Sequence, residues 1–286
     1  MQNSGNITTI SETRCFAGNL GYYSHQSETN NCSMRFSVFV PNSHDTQKLP
    51  VIYYLSGLTC TEDNFTSKAG AYAAAADSGC IIVAPDTSPR GDDIPDEDSW
   101  DFGKGAGFYV DATEEPWKKN YQMYSYITEE LTALIAASFP VDTERQGIMG
   151  HSMGGHGALT IYLKNQNQFK SVSAFSPIVA PMQCPWGDKA LSNYLGANKE
   201  MWRAYDASEL MNSGGDGSNR PEILIDQGLA DPFLQEQLKP ELFVLACNNV
   251  GQKLQLRQHS GYDHSYFFIQ TFINDHISHH MNILNA

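Results

Sequence analysis

No two cysteines in this sequence stand in C-x-x-C spacing, and the six that exist (Cys15, Cys32, Cys60, Cys80, Cys184 and Cys247) are scattered along the chain. That pattern signals neither a disulfide framework nor a zinc site, and it fits reduced, mostly buried thiols. Long apolar runs are missing too. No stretch approaches the length that spans a bilayer, and the opening MQNSGNITTISETRC has neither the basic cluster nor the apolar segment of a secretion signal. The expectation is a cytoplasmic protein with no membrane partner. Positive charge is scarce as well: 18 Lys and Arg stand against 32 Asp and Glu, a formal net charge of -14. Phosphate backbones are repelled at long range by such a chain, so nucleic acid is not an expected partner.

What is present is a chain of 286 residues with 41% hydrophobic content, enough to bury a sizeable core. The stretch 33–42, SMRFSVFVPN, alternates polar and apolar residues and predicts a half-buried strand near a sheet edge. LPVIYYLSG (49–57) and GCIIVAPD (79–86) read as short buried strands, with the alanine-rich AGAYAAAADSG as a helix between them. The alternation then repeats: a helix over 124–139, the strand GIMG, the helix MGGHGALTIYLKNQ, and strands at 171–175, 222–228 and 253–259. LQEQLKPELFVLACNN and HSYFFIQTFINDHISHH follow the last two as helices. This order predicts an α/β architecture: one domain over residues 1–286, with a mainly parallel sheet covered by helices on both faces. Two long stretches, 87–121 and 177–219, interrupt the alternation and are expected to frame a functional site.

The segment IMGHSMGGHGAL contains Gly150-His151-Ser152-Met153-Gly154, which matches G-x-S-x-G with a strand before it and a helix after it. In that context the pattern predicts a nucleophile elbow, which projects the serine hydroxyl beyond the carboxyl end of its strand. Gly150 and Gly154 would let the flanking backbone approach closely, and Gly155 and Gly157 would let the helix lie against the sheet. A serine hydroxyl needs a base and an orienting carboxylate, expected later in the chain. Of the five late histidines, His259 closes a strand, His264 opens the last helix within reach of Ser152, and His276, His279 and His280 are expected to face solvent or complement the helix dipole rather than hold a metal. For the carboxylate, spacing leaves Asp226 and Asp231 open, and the other would shape its loop. Pro232 restricts the residue before it to extended conformations. Oxyanion donors are expected from the backbone N–H groups of Met153 and of Leu58, in the loop after the 49–57 strand. Cys60, in that loop, is a rival nucleophile without an elbow, and is read as a neighbour of the site.

Taken together, YYLSGLTCTEDNF, APDTSPRG, SWDFGKGAGFYVDAT, NYQMYSYITEEL, GHSMGGHGAL, SAFSPI, CPWG, YLG, LIDQG and GYDHSYFFIQTFINDHI resemble the S-formylglutathione hydrolase (esterase D) family from about residue 15 to the carboxyl terminus. The resemblance implies an α/β-hydrolase fold and cleavage of S-formylglutathione to glutathione and formate, the closing step of glutathione-dependent formaldehyde detoxification, with no cofactor. It implies Ser152 as nucleophile, Asp231 as acid and His264 as base, Leu58 and Met153 as oxyanion donors, Cys60 close to the site, homodimers, and activity on short acyl esters.

Glutathione carries about one net negative charge at neutral pH, so local cations are expected to hold it. Arg90, Lys104, Lys118 and Lys119 are candidates, with Trp100, Phe102, Phe108, Tyr109 and Trp117 as an aromatic lip and Trp186 as a further substrate-binding residue. Two rival functions remain at this point: a general carboxylesterase or acyltransferase with the same triad, and a silent binding protein on the same fold.

Overall fold

The apolar run LPVIYYL forms a strand, β4 (Leu49–Leu55), buried at every position. Val51, Tyr53 and Leu55 enter one hydrophobic core while Ile52 and Tyr54 enter a second on the opposite face, as a strand covered on both sides requires. The computed structural model describes residues 7–42 and 48–286. The first six residues of the opening read for a secretion signal, and residues 43–47, lie outside the described residues. Among the described residues β4 lies within a sheet of nine strands: β1 (Thr8–Cys15), β2 (Gly18–Ser27), β3 (Cys32–Pro41), β4, β5 (Ile81–Pro85), β6 (Val141–His151), β7 (Phe169–Phe175), β8 (Ile223–Gly228) and β9 (Leu254–His259). Their order is β1-β2-β3-β5-β4-β6-β7-β8-β9. The first four in that order pair antiparallel and the remainder parallel.

The helices are α1 (Glu62–Lys68), α2 (Tyr72–Ser78), α3 (Met123–Ser125), α4 (Thr132–Ser138), α5 (Met153–Lys164), α6 (Pro185–Leu195), α7 (Lys199–Trp202), α8 (Ala207–Ser213), α9 (Pro240–Asn249) and α10 (Tyr266–Leu284). No helix among the described residues is long and apolar enough to cross a membrane.

Several expectations need correction. β3 is not near an edge, because the β1–β2 hairpin lies outside it. β1 is exposed at nearly every residue, so it carries no apolar alternation to read. The loop after β4 contains α1, whose Thr61 cap forms a reciprocal capping box with Asn64. The helix expected over 124–139 includes a π-helical turn, Tyr126–Leu131, between α3 and α4. LQEQLKPELFVLACNN is two pieces, a π-helical turn (Leu234–Leu238) and α9. The break falls at Lys239, which has φ 49°, and Pro240 after it cannot continue an incoming helix. Gly157 faces the ring of Tyr109 rather than the sheet, while Gly155 does approach Ala174 of β7.

The largest correction concerns the late histidines. His276 and His280 are fully buried, where α10 packs on β7 and β8. Asp226, buried at the end of β8, receives two bonds of 2.6 Å from Arg257 and has His276 Nε2 at 3.2 Å. His276 Nε2 faces a carboxylate and so carries a hydrogen, leaving Nδ1 to accept from Ser173 at 2.8 Å. The Ser173 oxygen then accepts from His280 Nε2 at 2.9 Å, and His280 Nδ1 accepts from Ser171 at 2.6 Å. Each bond of this chain uses one hydrogen, and a further proton on either ring would oppose another donor.

Burial, with repulsion from His279 and His276, holds His280 well below the usual histidine range. Burial also lowers His276 against the pull of Asp226. Both rings are therefore more easily protonated in the unfolded chain. Stability from this chain is complete above the ordinary histidine value of 6.5 and is lost as pH falls below it. Thermal melting should give a midpoint that is level between about pH 7 and 8 and drops on going to pH 5. His280→Gln should reduce that drop while lowering the midpoint at pH 8. An equal midpoint at pH 5 and 8 in the unsubstituted chain would refute the assignment.

Candidate active site

β6 delivers Ser152 at its carboxyl end and α5 departs from Met153. Between them Ser152 holds φ 58° and ψ -119°, a conformation that residues with a Cβ rarely adopt. Its N–H donates to the Phe175 carbonyl at 3.0 Å, and its carbonyl accepts from the His156 N–H at 3.0 Å. Backbone fills the space around the turn. A Cβ on Gly154 would collide with the Leu55 carbonyl, and one on Gly150 with the Gly154 carbonyl. The glycines of the motif are thus required by contact, while the unusual conformation falls on Ser152 itself.

Of the two aspartates that spacing left open, Asp231 is the one in contact with a candidate base: its Oδ2 lies 2.5 Å from His264 Nδ1. Its other oxygen accepts the Phe233 N–H at 2.9 Å, and Gln227 Nε2 reaches Oδ2 at 3.4 Å. A carboxylate on Nδ1 fixes the proton there and leaves Nε2 of His264 as the basic nitrogen. Asp226 belongs instead to the buried chain beneath α10. Burial would raise its carboxyl, but His276 and Arg257 outweigh that and hold it well below the usual range. His259 lies 3.2 Å from Asp226 and stacks on Phe272, so it serves the same network.

Leu55 pairs with Gly150 across the β4–β6 ladder, which brings the loop after β4 beside the elbow. A Cβ on Gly57 would lie 3.2 Å from the Ser152 Cβ. Neither the Leu58 nor the Met153 N–H donates to a backbone carbonyl among the described residues; Met153 opens α5, where the first N–H groups have no partner within the helix. Cys60 is buried in the same loop. Burial raises its thiol, outweighing Tyr266, Lys68 and Arg90, so the sulfur stays protonated and is a weak nucleophile.

The expected lip is only partly at the surface. Phe102 and Tyr109 are fully buried. Phe102 packs on Trp117 and Tyr194, and the Tyr109 hydroxyl donates to the Ser56 carbonyl. Both are core residues, Phe102 against the second insertion and Tyr109 against Gly157 of α5, and Phe108 and Trp117 are buried with them. Trp100 is 55% exposed and meets Trp186 edge-on at 5.5 Å. From Trp186 the contacts continue to Phe233 at 4.8 Å and from Phe233 to His264 at 5.0 Å.

Three of the four candidate cations are engaged by acids or fold contacts, and for Lys119 the contact is made by the backbone alone. Arg90 binds Asp86 and the Cys60 carbonyl, Lys104 lies 3.7 Å from Asp96, and Lys118 pairs with Glu115. The Lys119 carbonyl accepts from Asn31. Lys189, not foreseen, reaches Ser99, Asp101 and Glu97 and ties the Trp100 loop to α6. Among the described residues no group of three or more His, Cys, Asp or Glu is placed to hold a metal ion.

The family described as putative esterase matches residues 27–279. S-formylglutathione hydrolase of Mus musculus is 54% identical over 282 residues, 98% of this chain and 99% of the mouse protein. The chain belongs to the S-formylglutathione hydrolase family. The Arabidopsis thaliana member of that family is 53% identical over 281 residues, 97% of this chain and 98% of its own. A solved S-formylglutathione hydrolase from Agrobacterium tumefaciens superposes with a TM-score of 0.93 at 53% identity, over 96% of this chain and 99% of the other. The central sheet and elbow are accordingly those of an α/β-hydrolase.

Phe233 and His151 also belong to this site, and sequence reasoning passed over both. Phe233 stands two residues after Asp231, so its neighbourhood was visible but not the direction of its ring. His151 stands inside the motif, where attention falls on the serine. Gly154→Ala should cost about 1–3 kcal/mol or more of stability, the usual range for overpacking, and should abolish hydrolysis. Denaturant unfolding and an ester assay check both; an alanine variant with unchanged stability would contradict the packing described.

Proposed function

We propose that this chain hydrolyses S-formylglutathione to glutathione and formate through a formyl-Ser152 intermediate. The carrying observation is the strained Ser152 elbow together with the 2.5 Å His264–Asp231 contact, in a chain 54% identical to the mouse S-formylglutathione hydrolase. His264 takes the Ser152 proton as the hydroxyl oxygen attacks the formyl carbon, and the C–S bond breaks as that proton passes to the departing thiolate. Water, deprotonated by His264, then attacks the formyl carbon, and the C–O bond to Ser152 breaks as His264 returns the proton to the serine oxygen, releasing formate. Asp231 keeps the reactive nitrogen of His264 free and stabilises the imidazolium. The N–H groups of Leu58 and Met153 receive the oxyanion in both steps.

Trp186 and Phe233 wall the acyl side, next to His264, and Trp100 extends that wall outward. Cys60 is a neighbour of the site within the oxyanion loop. The glutathione portion lies over the rim formed by segments 87–121 and 177–219, with Lys104 and Trp100 as its candidate contacts. The same reading takes the chain as one domain that works without a cofactor as a homodimer in the cytoplasm.

Steady-state hydrolysis of S-formylglutathione beside a short-chain aryl ester tests the proposal. Ser152→Ala should lower kcat by about 10³-fold or more, and the thioester should be preferred. A preference for the ester would move the protein to the general carboxylesterase reading. A formyl group has no side chain, so acetyl, propionyl and butyryl thioesters should be progressively poorer substrates; an equal rate along that series would count against a small acyl pocket.

A further inference from the structure

His151 is a buried residue whose ring nitrogens make no well-aligned hydrogen bond among the described residues, although the His264 backbone stands close to the ring. Leaving an imidazole unbonded in the interior costs on the order of 1–3 kcal/mol, and an apolar ring of similar size would avoid that cost. Its location is specific. It precedes Ser152 on the same strained turn, its ring centroid is 4.4 Å from that of His264 at an interplanar angle of 44°, and a Cβ on Gly57 would lie 3.3 Å from its Nδ1. The ring therefore fills the space between the loop that carries Leu58 and the ring of the candidate base. On its outer side it approaches Tyr266, with centroids 6.1 Å apart.

His264 is otherwise constrained from two directions: Asp231 holds Nδ1, and the edge of Phe233 meets the ring at 5.0 Å. One bond to a carboxylate still lets the ring swing by a combined turn of χ1 and χ2, so contacts on the ring faces are what fix its plane. We propose that His151 is a positioning residue for catalysis, a flat wedge that sets the plane of the His264 ring so that its Nε2 stays aimed at Ser152. Burial, followed by repulsion from His264, keeps His151 well below the usual histidine range. The wedge thus stays neutral and does not oppose the imidazolium that His264 becomes in each half-reaction.

The proposal rests on the Ser152–His264–Asp231 reading, and its test separates the two. Fluorophosphonate labelling of the unsubstituted chain, absent in Ser152→Ala, checks the triad alone. His151→Leu and His151→Phe both remove the unbonded nitrogens, so both should fold, but only phenylalanine keeps a flat ring. Rates are taken per site titrated by the probe. His151→Leu should lose tenfold or more in kcat with KM within twofold, and should label correspondingly slowly. His151→Phe should stay within threefold of the parent in both. Parental kcat in His151→Leu, or equal damage in the two variants, would overturn the proposal. Failure of the unsubstituted chain to label would instead overturn the triad reading.

Discussion

The turn at Ser152 is possible only because three backbone segments touch with no side chain between them. Gly150, Gly154 and the Leu55 carbonyl occupy space in which one added carbon would collide, and the reward for that closeness is a serine held at φ 58°. Other parts of the site take their positions from this contact. The β4–β6 ladder ends beside it, so the loop with Leu58 is next to the hydroxyl. The Phe175 carbonyl at the end of β7 receives the Ser152 N–H, so β7 also supports the turn. Strain of this kind persists when its surroundings over-determine it, and here the surroundings are three neighbouring parallel strands.

Behind the turn, two aspartates from one short segment have opposite uses. Asp226 is inside the sheet, neutralised by Arg257 and continued by His276, Ser173 and His280. Asp231, five residues later, is buried just past the end of β8 with its oxygens shared among His264, Phe233 and Gln227. The first joins α10 to the sheet, and the stack of His276 on Phe175 at 3.7 Å extends that joint to the strand that supports the elbow. The second holds the candidate base. Both carboxylates are buried and both need partners, but those of Asp226 join a helix to the sheet, whereas one of those of Asp231 is the His264 ring.

Much of this was legible in the sequence. The parallel strands were readable because burial on both faces makes them short apolar runs, and the elbow because a sharp strand-to-helix turn demands glycine at fixed positions. The order of serine, acid and base narrowed the partners to a few residues. What could not be read depends on direction in space. Asp226 and Asp231 have equivalent spacing, and the choice between them lies in which points at His264. Phe102 and Tyr109 have the composition of a lip, yet their rings turn inward onto Tyr194 and Ser56. His276 and His280 look like polar residues closing a helix, but their i, i+4 spacing puts both on the buried face. β1 was invisible because an edge strand exposed on both sides has no alternation to detect.

The Lys189 contacts join the two insertions by charge rather than by packing. Its ammonium reaches Glu97 and Asp101, and this holds the loop that carries the exposed Trp100 against α6 and Trp186. The sheet, the elbow and the Asp226 chain are shielded from the medium, whereas these pairs stand at the surface, where dissolved ions screen them. Dissolved salt therefore weakens the Lys189 pairs and leaves the apolar seam of Phe102 and Trp117 on Tyr194 untouched. The two insertions are held by one fastening that ionic strength reaches and one that it does not.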